Sequence, residues 1–93
     1  MRASTERLLA ALTSAQEQRD QRQGFVDGPD GPECEWAAFE RTTMHQGVNE
    51  IRAEYGLPPI PLEVVTRVEG LAVGHSDYSW KFAFYCAELV APK

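Results

Sequence analysis

The chain has 93 residues, 43% of them hydrophobic and 10% aromatic, which supplies one small core and one domain, residues 1–93. Collagen-like, fully disordered and disulfide-framework classes are excluded by this composition, and so is an enzyme with a separate cofactor domain. The 14 acidic residues outweigh 9 basic ones for a net charge of -5, and no run of Lys or Arg occurs, which disfavours nucleic acid and anionic membranes as partners.

In chain order the hydrophobic periodicity predicts four helices and no strand. The first runs from about Ser4 to Gln23, with Ser4 or Thr5 as its cap and Leu8, Ala11, Leu12 and Ala15 as its apolar stripe. Beyond Ala15 the stretch Gln16–Gln23 has no apolar residue. That half has helix propensity but nothing to bury, so the helix is expected to be partly detached, projecting into solvent or meeting a partner.

Gly24–Pro32 holds three glycines and two prolines and reads as a loop that permits neither helix nor strand, with Phe25 and Val26 as a plug for the core. The N-terminal helix and this Gly/Pro loop make up residues 1–31, and the helical core 32–93. Most of the charge imbalance lies around Asp27, Asp30, Glu33, Glu35 and Glu40.

The second helix is expected from about Pro32 to Tyr55. Ala37, Met44, Val48, Ile51 and Tyr55 share a narrow arc, with Glu40 and Gly47 on the same side. Glu40 on this stripe could be a buried base, but pairing with an arginine such as Arg67, or a peripheral position, is the favoured reading. Trp36 and Phe39 fall well away from the arc and require a second surface. Gly56 is placed as a left-handed stop, and Leu57-Pro58-Pro59-Ile60-Pro61 as a stiff connector.

Pro61–Val73 forms the third helix, with Val64, Val65, Val68, Leu71 and Ala72 on one face and Gly74 as its stop. The fourth, about Asp77 to Val90, takes Ser76 as its cap and pairs Asp77 with Lys81. It is apolar on two sides: Tyr78, Phe82, Tyr85, Cys86 and Leu89 on one, Trp80, Phe84 and Ala87 on the other. Burying both sides requires helices on either side of it; otherwise one side meets another chain. The fold class is therefore all-α, a small bundle of about four helices with helix four central.

The stretch Gly74-His75-Ser76-Asp77-Tyr78-Ser79-Trp80-Lys81-Phe82-Ala83-Phe84-Tyr85-Cys86-Ala87-Glu88-Leu89 resembles a GHxDYxxKFAxYCAEL motif of small proteins from actinobacteria and their phages. Asn49–Pro58 is similar to the same group, so the resemblance covers roughly residues 36–90. It implies an origin and carries no mechanism with it.

No catalytic set assembles from the sequence. His75 and Asp77 could orient a base or ligate a metal, but His45 is the only other histidine and lies off the apolar arc. His75 beside free helix-end carbonyls, with Asp77 near the next N-terminus, is the structural reading and the favoured one. Cys34 lies between Glu33 and Glu35, which disfavour a thiolate, and Cys86 reads as a buried small hydrophobe. No enzyme activity, metal or cofactor is expected. The cysteines fit no metal spacing, and no signal peptide or bilayer-length apolar run is seen, so a bacterial host's cytoplasm, or a virion, is the expected location.

The leading functional expectation is a non-enzymatic protein–protein interaction module of phage type, binding a host, defence or virion protein, or a second copy of itself. Trp36, Phe39, Trp80 and Phe84 are its anchors, and Asp27, Asp30, Glu33 and Glu35 steer it to a basic partner. The rival is a small helix-turn-helix DNA-binding regulator using helix three, the Gly74 turn and helix four. It would present Ser76, Asp77, Tyr78, Ser79 and Lys81, a set with one cation and an opposing acid.

Overall fold

The computed structural model describes residues 3–28 and 31–90. Among these residues are four α-helices, α1 (Ala3–Glu17), α2 (Glu35–Glu54), α3 (Leu62–Ala72) and α4 (Tyr78–Glu88), together with a two-stranded antiparallel sheet, β1 (Phe25–Gly28) and β2 (Gly31–Cys34). A 3-10 turn, Arg19–Gln21, follows α1.

The apolar stripes meet as their period requires. Leu8 and Leu12 of α1, Met44, Val48 and Ile51 of α2, Val65 and Ala72 of α3, and Phe82, Ala83, Cys86, Ala87 and Val90 at α4 form one buried core. The α2 and α4 helices each touch all three others, so the centre is shared between them and does not belong to helix four alone. The α1 helix packs against both, with Leu8, Leu12 and Ala15 buried. The expectation of a partly detached first helix is thereby corrected. Gly47 faces Leu8, whose Cδ2 lies 3.4 Å from where a Cβ would stand.

The Gly/Pro segment departs most from expectation. It forms a hairpin rather than a loop, pairing Phe25 with Cys34, Val26 with Glu33, Asp27 with Pro32 and Gly28 with Gly31. A two-stranded ladder has two open edges, where the N–H that Pro32 lacks need not be missed. Gly31 supplies a φ of +117° beside the reversal, which a side-chain-bearing residue would resist. Because β2 takes residues 31–34, α2 starts at Glu35 and not at Pro32. Phe25 does not plug the core: it is 74% exposed, and Val26 beside it is exposed as well. Tyr55 also lies outside the core, since α2 has ended by then.

Helix ends follow the glycines. Gly56 and Gly74 adopt positive φ, +72° and +92°, each two residues past the last residue of α2 and α3. Ser4 and Thr5 lie inside α1 rather than capping it, and the residue preceding α4 is Asp77, whose side chain makes no capping bond. Asp77 forms no ion pair with Lys81 among the described residues.

The proline connector is fastened by side chains of α2. The Asn49 Oδ1 accepts from the Ile60 N–H at 2.8 Å, and its Nδ2 donates to the Ile60 carbonyl at 3.2 Å. His45 Nε2 lies 2.8 Å from the same carbonyl, and Arg52 donates to the Pro58 carbonyl and, through Nη1, to that of Leu89. Asn49→Ala is expected to cost about 1–3 kcal/mol, because it strands the half-buried Ile60 amide. A urea titration checks this, and a loss within error of zero would show that the connector holds itself.

Candidate functional site

Two tryptophans from different helices line one depression. Trp36 stands on the first turn of α2 and Trp80 on the first turn of α4, and with Arg19, Ser76, Asp77 and Tyr78 they line an open depression of about 550 Å³. A second depression of about 330 Å³ lies across Trp36 and Tyr78, bordered by Cys34, Ala37, Glu69, Val73 and Gly74.

The outer face of α4 is an aromatic stack. Trp80 and Phe84, four residues apart, lie with ring centroids 5.3 Å apart and planes at 13°. Tyr85 meets Phe84 edge-on at 5.9 Å. The stack remains open, with Trp80 42% and Phe84 39% exposed, while Phe82, Ala83, Cys86 and Ala87 of the same helix are buried. The two-sided character read from the sequence therefore resolves into one buried and one exposed side, with Ala87 joining the core. Lys81 Nζ lies 5.9 Å from the Trp80 ring centroid.

Trp36 and Phe39 find their second surface within the chain. The polar stretch after α1 turns back over α2 in place of projecting into solvent. The Arg19 guanidinium carbon stands 4.2 Å from the Trp36 ring centroid, and that of Arg22 stands 3.8 Å from the Phe39 centroid. Arg19 Nε donates to Glu40 Oε1 at 2.8 Å, and Arg22 Nη1 to Glu35 Oε1 at 3.4 Å. Glu40 is fully buried, and its partner is Arg19, not Arg67. Among the described residues its Oε2 has no hydrogen-bond partner. Desolvation raises the Glu40 carboxyl above its ordinary pKa, and the Arg19 hydrogen bond and charge oppose that rise.

A second polar network adjoins the second depression. Arg41, nearly buried, donates to both oxygens of Glu33 and to Glu69 Oε2 at 3.3 Å. Tyr78 donates its hydroxyl to Glu69 Oε1 at 3.0 Å. The Glu33 hydrogen bond raises the Arg41 pKa, and burial followed by the Glu69 charge raises that of Tyr78. These groups tie α2, α3 and α4 together, and Glu69 and Tyr78 also border the second depression beside Trp36.

Of the acids assigned to steering, Glu33 is engaged by Arg41 and Glu35 by Arg22, while Asp27 is exposed on β1. Asp30 lies outside the described residues. His75 is exposed, with its backbone N–H donating to the Ala72 carbonyl at 3.3 Å, and His45 is occupied at the connector. Burial pushes the Cys86 thiol up to about 12. Among the described residues no group of three His, Cys, Asp or Glu could hold a metal ion, and no helix is long and apolar enough to cross a membrane.

Sequence reasoning missed Arg19, Arg22, Arg41 and Glu69. One signal for the first two was present: Arg19 and Arg22 are three apart, as are Trp36 and Phe39. No family model, curated protein or solved structure matches the chain.

Proposed function

We propose that this protein is a non-enzymatic protein–protein interaction module, of the phage type its C-terminal motif resembles, that seats a partner on the Trp80–Phe84 face of α4. One observation carries the reading: two large aromatic rings stack side by side in the open on a helix whose other side builds the core. Half-covered indole and phenyl rings gain from further burial, and such residues concentrate interface energy. The adjoining depression, lined by Arg19, Asp77 and Ser76, gives the apolar stack a polar border of the kind interfaces carry.

Trp80→Ser and Phe84→Ser test the reading in separate variants, each checked for fold by near-UV circular dichroism. Each is expected to weaken association about 30-fold, the equivalent of a hot-spot residue at roughly 2 kcal/mol. Self-association is read by light scattering, and association with a host protein by capture with wild type and variants in parallel. Folded variants that keep the wild-type partners and stoichiometry would remove the interface from this face.

A further inference from the structure

The segment after α1 buries no apolar side chain, yet Arg19 and Arg22 fix it on α2 through two ring contacts and two carboxylates. The spacing explains the fit. In a 3-10 turn residues three apart eclipse one another, and the Arg22 N–H donates to the Arg19 carbonyl at 3.0 Å. On an α-helix residues three apart are neighbours on one side, which is where Trp36 and Phe39 stand. Guanidinium over ring, twice at matched spacing and with Glu40 and Glu35 behind, is a recognition pattern already holding its ligand.

We infer that the Trp36–Phe39 face of α2, with Glu35 and Glu40, is a receptor for an Arg-x-x-Arg segment, occupied by the protein's own Arg19 and Arg22 until a basic partner segment of that spacing displaces them. The inference rests on the reading of the protein as an interaction module and names the chemistry of a partner segment. Two features make the internal occupant replaceable. Arg19 uses one oxygen of Glu40 and leaves Oε2 without a partner among the described residues, whereas a guanidinium presented end-on pairs both carboxylate oxygens. The Arg22–Glu35 contact is long, and both side chains are about one-third exposed. Against replacement stands effective concentration, since a tethered segment competes at the millimolar level.

The probe is an amidated peptide with the sequence of residues 16–24, Gln-Glu-Gln-Arg-Asp-Gln-Arg-Gln-Gly, compared with the same peptide carrying Gln at both Arg positions. The receptor is the full chain, as wild type and as Arg19→Gln/Arg22→Gln, followed by NMR of the two indole N–H signals. The arginine peptide is expected to shift the Trp36 signal of the variant with at least tenfold tighter affinity than in wild type. The Trp80 signal should stay in place and the control peptide should be silent. Should that variant fail to fold because Glu40 is left alone, adding Glu40→Gln restores the fold, and the Trp36 shift is expected to persist at lower affinity. A folded variant whose Trp36 signal does not respond to the arginine peptide overturns the inference. So does a wild-type dimer that dissociates in the variant, because a second copy would then be the occupant. Failure here with Trp80-dependent association intact leaves the proposed function standing, and the reverse result removes that function alone.

Discussion

Arg19→Ala is expected to lower stability by roughly 3 kcal/mol at neutral pH, a large share of what a domain of this size holds. Truncating a half-exposed arginine ordinarily costs far less. The cost here comes from what remains: Glu40, fully buried, would lose the one hydrogen-bond partner it has among the described residues, while Oε2 has none among them. Glu69, facing from α3, raises the Glu40 pKa further and gives no relief. Glu40→Gln in the Arg19→Ala background should recover most of the loss, because a neutral side chain carries no comparable desolvation penalty.

The pH dependence has a definite sign. The Glu40 pKa is raised on folding, so the folded chain holds this proton more tightly than the unfolded chain. Its contribution is full below the unfolded carboxylate value and is lost as pH rises through the folded one. Removing Arg19 removes the group that opposes the rise and so widens that window upward. The deficit of Arg19→Ala should therefore be larger at about pH 7.5 than at about pH 5, where a neutral Glu40 is more readily held. Urea denaturation of wild type, Arg19→Ala and the double variant at both values checks this. An equal deficit at both, with no rescue by Glu40→Gln, would place the energy in the Trp36 stacking instead.

The helices were legible because burial imposes a 3.6-residue period on sequence: Leu8, Leu12 and Ala15, or Met44, Val48 and Ile51, are both the expected stripes and the buried residues. Gly56 and Gly74 were legible for a local reason, the φ that follows a helix end. The hairpin was not. Its prolines and glycines argue against a strand inside a sheet, but a four-residue ladder with open edges tolerates them, and only the pairing of Phe25 with Cys34 reveals it. The fold-back of Arg19 and Arg22 was hidden for a different reason. A segment with no apolar residue looks solvated when packing is judged by hydrophobicity, whereas guanidinium groups pack through their faces and their charge together. Half of the candidate site followed the same division. Trp80 and Phe84 stood out as aromatics off the core stripe and are exposed, while Trp36 and Phe39 stood out equally and are half-buried beneath Arg19 and Arg22.

Phe82→Ala should cost about 3–5 kcal/mol and Phe84→Ala about 1 kcal/mol or less, although the two side chains are identical and two residues apart. Phe82 is fully enclosed, with the Tyr78 ring centroid 5.9 Å away and the α4 core residues around it. Truncation removes its transfer energy and leaves a cavity that close-packed neighbours cannot fill. Phe84 is 39% exposed on the outer stack, so its truncation opens a surface notch that water fills. Denaturant midpoints for both variants, with unchanged m-values, measure the contrast. Equal losses would make the outer face of α4 part of the core, and a face already serving the fold in that way would have no ring area left to give to a partner.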